Sequence, residues 1–171
     1  MEAALSLGGN TGNGTETLKK ALKRLEDGAF RIGRVSRIYR TSPVDCAPGT
    51  PDFLNLAVTG FWEGTPEKLL DLGQRIEVQL GRPANHAYHG CRTADIDIVT
   101  FGNLEIRTSR LILPHPEAWR RMFVLMPLAE IAPDWRIGSH TASEWLEMLK
   151  TSSGGSKNSA QSCLPLSGEE R

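Results

Sequence analysis

Ala94-Asp95-Ile96-Asp97-Ile98-Val99-Thr100-Phe101 begins by alternating acidic and apolar side chains and then turns apolar. Residues two apart in a strand share a face. Asp95 and Asp97 would therefore point the same way, roughly 7 Å apart by strand rise, with Ile96 and Ile98 turned toward a core. Gly102-Asn103 follows as a hairpin-type turn into Leu104 to Ile106.

Upstream of this strand the periodicity changes repeatedly. Ala3 to Leu7 suits a strand ending at the Gly8-Gly9-Asn10 turn signal. Thr15 can cap a helix with Leu18, Leu22 and Leu25 on one face and Gly28 as its stop. Phe30 to Thr41 alternates as a second strand, Ser42 to Pro51 is a proline-rich loop, and Phe53 to Trp62 is a third strand. Thr65-Pro66-Glu67 opens a second helix with a cap, a proline at the first position and an early acid. That helix carries Leu69, Leu72, Ile76 and Leu80 and stops at Gly81, before a polar loop from Arg82 to Arg92. Downstream of the acids, Pro116 starts a further helical stretch, and Thr141 with Glu144 forms a capping box for a last helix. Strand, helix, two strands, helix, strand is the order of a ferredoxin-like α+β sandwich. It predicts an antiparallel sheet with helices on its faces.

The bulk composition fits that reading. A chain of 171 residues, 39% hydrophobic and 23% charged, is one ordinary globular domain. Twenty basic side chains balance twenty acidic ones, which argues against binding nucleic acid through overall charge. Cys46, Cys91 and Cys163 are odd in number and without a CxxC pair, so free thiols in a reducing cytosol are expected rather than disulfides or zinc. There is no apolar run long enough to span a bilayer. The Ser- and Gly-rich segment 151–171 is expected to be a disordered tail after a folded domain of residues 1–150.

Two carboxylates side by side repel one another unless a cation neutralises them. Mg²⁺ does so through one or two carboxylates plus substrate phosphates. A bare D-x-D is equally at home as two solvated acids, and its surroundings decide between the two. Arg82 and Arg92 bracket the preceding loop, and Arg110, His115, Arg120 and Arg121 follow. Any one arginine is as readily a solvated surface charge. As a cluster they supply the positive charge that transferring phosphoryl oxygens require. GxxxxGK[ST], GxGxxG, HExxH and GxSxG are all missing.

Several of these motifs together resemble one family. Ser6-Leu7-Gly8-Gly9-Asn10, Tyr39-Arg40-Thr41-Ser42-Pro43, Phe53-Leu54-Asn55, Gln74-Arg75-Ile76-Glu77 with Leu80-Gly81-Arg82, Arg92-Thr93 before the acids, Leu113-Pro114-His115-Pro116, and Arg121 to Leu128 with Glu130-Ile131-Ala132-Pro133 carry the likeness. In order and spacing, from about residue 4 to 135, they are similar to 6-hydroxymethyl-7,8-dihydropterin pyrophosphokinases of folate synthesis. The resemblance implies transfer of pyrophosphate from ATP to the pterin hydroxymethyl group, with release of AMP. It implies two Mg²⁺ ions held by Asp95 and Asp97, and catalytic roles for Arg82 and Arg92 beside those acids. Gln74, Glu77, Arg82, Arg92, Ile98, Arg110, Leu111, Ile112, His115 and Arg121 would meet ATP. Thr41, Ser42, Val44, Phe53, Asn55, Asp95 and Phe123 would meet the pterin. A flat heterocycle suits Phe53 and Phe123 as an aromatic sandwich, although both also suit plain core. Its polar edge suits Asn55 and the turn at 42–44.

The loops 42–51 and 82–92 would close as lids, excluding water from the transfer. Here the chain departs from the family. Trp-Gly-Pro-Arg-Thr becomes His89-Gly90-Cys91-Arg92-Thr93, and a family arginine two residues after Arg82 is Ala84. These changes lead us to expect weaker closure over ATP and slower turnover, with metal binding kept. The alternative is a non-catalytic pterin- or nucleotide-binding homologue whose lid has decayed, against which the retained acids, Arg92, His115 and Arg121 speak. An RNA-binding module with the same strand order would need aromatic central strands that are missing here. The expected partners are small molecules, with neither nucleic acid nor membrane, and the expected state is a monomer in the cytoplasm.

Overall fold

A computed structural model describes residues 1–42, 49–81, 93–152 and 163–166. β1 (Glu2–Gly9) is buried along most of its length and runs between β4 (Phe53–Phe61) and β5 (Asp95–Phe101), antiparallel to both. On the far side of β4, β2 (Arg31–Val35) and β3 (Tyr39–Thr41) pair with successive parts of that strand. β10 (Cys163–Pro165) extends the sheet beyond β3, giving the order β10-β3-β4-β1-β5. With β2 and β3 counted as one interrupted strand, the ferredoxin-like α+β arrangement is present as expected.

α1 (Gly14–Asp27) and α2 (Pro66–Gln79) cover one face of the sheet. Leu18, Leu25, Leu69 and Ile76 meet Leu5, Leu7, Leu56, Val58, Ile96 and Ile98 there. α3 (Met122–Ile131) and α4 (Ala142–Ser152) cover the other face, where Val124, Leu125 and Leu128 meet Ala4, Ala57 and Val99. Small residues at Ala4 and Ala57 let α3 approach the sheet closely.

Several boundaries differ from the sequence-based expectation. Asn13, not Thr15, caps α1, its side-chain oxygen accepting from the Glu16 N–H. The second strand breaks in two because the Ser36 hydroxyl takes over a ladder position. It accepts from the Ala57 N–H at 2.9 Å and donates to the Arg37 carbonyl at 2.7 Å. Leu104 to Ile106 does not fold back on β5. β6 (Ile106–Arg107) instead pairs with β7 (Ile112–Leu113), across a turn closed by Thr108 and Leu111. The stretch from Pro116 makes only a 3₁₀ turn at Ala118–Arg120, because Arg121 is extended. The tail expected to be structureless includes Thr151 and Ser152 at the end of α4 and the edge strand β10. β8 (Arg136–Ile137) and β9 (His140–Thr141) form a small hairpin before α4. Among the described residues, no helix is long and apolar enough to cross a membrane.

Candidate active site

The core under α3 gives way to polar residues at one end of β1, β4 and β5. Gly8 pairs with Asn55 on one side and Asp95 on the other, and Ser6 pairs with Ala57 and Asp97. Cross-strand partners share a face, so Asn55, Asp95 and Asp97 all project on the α3 side. Ile96, at 7% exposure, and Ile98, at 4%, enter the opposite core, as the alternation predicted. Gly8 forms the floor between Asn55 and Asp95. A Cβ there would lie 2.5 Å from the Asn55 Oδ1 atom, a distance that no side chain could occupy without displacing the amide.

The outer edge of β5 is pinned at two points. Glu77 on α2 is 5% exposed, and its carboxylate accepts the N–H of Ile96, the residue between the two acids, at 2.7 Å. The His115 N–H donates to the Val99 carbonyl at 2.8 Å. His115 Nδ1 accepts from the Glu117 N–H at 3.1 Å, which leaves the ring proton on Nε2. Nε2 lies 4.0 Å from Asp97 Oδ2. Burial holds this imidazole below its ordinary pKa; the Arg121 cation adds to the effect, and Glu117 and Asp95 oppose it. It therefore stands as a neutral donor beside the acids at pH 7.

Arg121 caps α3 with its carbonyl, and its guanidinium lies 5.6 Å from the centroid of the Phe123 ring. On the same face of the sheet, Asn55 Nδ2 donates to Thr41 Oγ1 at 2.8 Å, and both residues are buried. Phe53 is half-buried and paired with Thr41. The expected pterin-side residues Thr41, Phe53, Asn55, Asp95 and Phe123 thus belong to one face, with Ser42 next in the chain after β3.

The expected ATP-side residues separate into two kinds. Gln74 is exposed on α2 one turn after Asp71, which holds Arg110 in a 2.7 Å ion pair, and Ile112 is 45% exposed nearby in the chain. Glu77, Ile98 and Leu111 are buried, so their side chains build the wall instead of presenting a free surface. Val44, Arg82 and Arg92 lie outside the described residues, as do Ala84, His89 and Cys91.

Sequence reasoning missed three contributors. Gly8 looked like a turn glycine and is a strand residue. Asp71 orients Arg110. Thr11 donates to Thr93 at 3.3 Å, tying the β1–α1 loop to the residue just before the acid strand. Only Gly8 left a signal, since extending the alternation of β1 by one residue puts it on the acid-bearing face.

Two half-exposed carboxylates on one strand, with a neutral imidazole beside them, are a hard donor set. No group of three or more acidic, histidine or cysteine side chains poised to hold a metal is found among the described residues. The carboxylate pair itself suits Mg²⁺, which takes few protein ligands and fills its shell with water and phosphate. A separate open cleft of about 420 Å³ at the other end of β4 is lined by Arg31, Arg34, Phe61 and Trp135. Its cations are engaged, Arg31 by Glu63 and Arg34 by the Ile131 carbonyl.

Comparison with known proteins agrees with this geometry. The chain is 38% identical to the 2-amino-4-hydroxy-6-hydroxymethyldihydropteridine pyrophosphokinase of Bacillus subtilis (strain 168), over 89% of its own length and 92% of that protein. It is 40% identical to the Methylorubrum extorquens enzyme of the same name, over 88% and 94%. It is also 34% identical to a folate synthesis bifunctional protein of Arabidopsis thaliana, covering 90% of this chain but only 32% of that one. In fold it is similar to Plasmodium falciparum HPPK-DHPS with STZ-DHP, at TM-score 0.65 and 15% identity, over 86% of this chain and 43% of that one. The model of the 7,8-dihydro-6-hydroxymethylpterin-pyrophosphokinase (HPPK) family matches residues 4–133. That span runs from the glycine floor through both acids to the end of α3, and on it the chain belongs to the HPPK family.

Proposed function

We propose that this chain transfers the β,γ-pyrophosphoryl group of ATP to the hydroxymethyl oxygen of 6-hydroxymethyl-7,8-dihydropterin. The new bond joins that oxygen to the β-phosphorus. The bond from the β-phosphorus to the oxygen retained by AMP breaks, and the hydroxyl proton is released. The observation that carries the reading is the row Asn55–Gly8–Asp95, which sets a buried amide across a bare glycine floor from the acid pair.

Asp95 and Asp97 would hold two Mg²⁺ ions, whose charge neutralises the phosphate oxygens when bound. The Asn55 amide, fixed by Thr41, presents donor and acceptor positions to the pterin edge. Phe53 and Phe123 offer ring faces to its plane. The neutral His115 donates from Nε2 and Arg121 supplies a cation; both bind phosphate oxygens and stabilise charge that grows during transfer. Gln74, Arg110 and Ile112 offer the nucleoside a surface beside α2.

The test is AMP release from ATP and 6-hydroxymethyl-7,8-dihydropterin with Mg²⁺. We expect it from the intact protein. We expect Asp95→Ala and Asp97→Ala each to abolish it and EDTA to stop it. AMP formation that survives both substitutions would refute the metal assignment. ATP binding without AMP release by the intact protein would favour a decayed, non-catalytic homologue.

A further inference from the structure

β10 pairs antiparallel with β3 in the register Cys163↔Thr41, Leu164↔Arg40 and Pro165↔Tyr39. Leu166, at 6% exposure, continues the pairing and donates its N–H to the Ile38 carbonyl at 2.8 Å. Hydrogen-bonded and non-hydrogen-bonded pairs alternate along such a ladder. Leu164 and Arg40 are then the next hydrogen-bonded pair. Cys163 and Thr41 form a close, non-hydrogen-bonded pair with side chains together on one face. That face carries Phe53 and Asn55 on β4, because Thr41 pairs with Phe53 and Tyr39 with Asn55.

Cys163 is 7% exposed and Thr41 1%, and α3 lies against β10 as well as β3. Burial pushes the Cys163 thiol up to about 11. It fills space as a small apolar side chain and is no nucleophile. Thr41 is the group that fixes the Asn55 amide. Without β10 it would sit in a three-residue strand paired on one side only, an arrangement with little stability of its own.

We infer that β10 is a positioning element for the pterin side of the active site: it seats Cys163 against Thr41 and, through Thr41, holds the Asn55 amide in its binding orientation. The inference rests on the reading given under Proposed function. The action is one-sided by construction. β10 joins the sheet at β3, and both β4 and β1 lie between it and Asp95 and Asp97 on β5.

The test uses the full chain with Cys163→Gly, Leu164→Pro, Pro165→Gly and Leu166→Ser combined, which removes both buried side chains and the Leu164 N–H. Binding of 6-hydroxymethyl-7,8-dihydropterin and of Mg²⁺ with α,β-methylene ATP is measured separately. We expect the pterin Kd to rise roughly ten-fold, the size of effect that follows from misplacing one buried hydrogen-bonding group. The nucleotide Kd should stay within about two-fold. Cys163→Val alone, which keeps the apolar bulk, should leave both affinities near those of the intact chain. Unchanged pterin affinity in the combined variant would overturn the inference. A parallel loss of both affinities would also overturn it, because β10 would then be a structural element only. An intact chain that binds no pterin would defeat the proposed function itself, whereas equal binding by the intact chain and the variant would defeat this inference alone.

Discussion

Glu77 shows how one buried carboxylate can set the geometry of two exposed ones. Its oxygen takes the N–H of Ile96, so the backbone between Asp95 and Asp97 is fixed from the edge of the sheet that β1 does not reach. Glu77→Ala would strand that N–H in a buried site, at a cost of about 1–3 kcal/mol. It would also free the acids to move, so Mg²⁺-dependent nucleotide binding should weaken in the same variant. Glu77→Gln keeps an acceptor oxygen in place and should recover most of the nucleotide affinity. A Glu77→Gln protein as impaired as Glu77→Ala would show that the charge matters and the hydrogen bond does not. The family likeness puts Glu77 among the nucleotide residues. Its bond to the Ile96 N–H is not legible there, because a hydrogen bond from α2 to the β5 backbone leaves no periodic trace. The acid pair was legible for the opposite reason, since a two-residue period is written directly into Asp95-Ile96-Asp97-Ile98.

At the scale of elements, α3 and β3 are tied together at the α3 C-terminal end. Glu130 accepts from Arg37 Nε at 2.7 Å, from the Arg37 N–H at 3.2 Å and from the Tyr39 hydroxyl at 3.0 Å. The tie fixes α3 relative to the strand that ends in Thr41, and so couples Phe123 to the Thr41–Asn55 pair. Burial, reinforced by the hydrogen bond to Glu130, raises the Tyr39 pKa above its ordinary value. A raised native pKa means that the folded state holds its proton more tightly than the unfolded one. The resulting stability is complete below about pH 10 and is lost as pH climbs through the native value. Tyr39→Phe should therefore cost about 1 kcal/mol near neutrality. It should also flatten part of the alkaline fall in Tm that the intact chain shows. An alkaline limb of equal steepness in both proteins would remove Tyr39 as its cause. The elements themselves were readable where local chemistry is sufficient. Thr65 caps α2, and Thr141 and Glu144 cap α4 reciprocally. Where a side chain substitutes for backbone, as Ser36 does, or where a three-residue strand pairs at the edge of the sheet, as β10 does, the local pattern carries no cue.

Across the whole molecule, one sheet serves two cores, and the proposed site draws on residues backed by both. The core under α1 and α2 backs Ile96 and Ile98, and its α2 carries Gln74, Glu77 and the Asp71 that holds Arg110. The core under α3 and α4 backs Ala57 and Val99, and α3 presents Phe123, with Arg121 at its cap. This division was implicit in the strand alternation, since Leu5 and Leu7 face one way and Ala4 and Ser6 the other. Which helices take which face depends on topology and becomes definite only with the strand order. The division predicts a double dissociation. Leu69→Ala, in α2, and Leu125→Ala, in α3, each empty a fully buried site and should each cost about 2–5 kcal/mol of stability. Their effects on binding should differ, because a cavity relaxes mainly the elements that line it. Leu69→Ala should weaken Mg²⁺–nucleotide binding more than pterin binding, through α2. Leu125→Ala should do the reverse, through Phe123. Both Kd values are to be measured well below the Tm of each variant, so that global unfolding does not enter. If both variants weakened the two ligands equally, the sheet would be passing strain freely between its faces and the two halves of the site would be one mechanical unit. If the losses separate as stated, nucleotide and pterin affinity can be tuned independently from opposite sides of the same three strands.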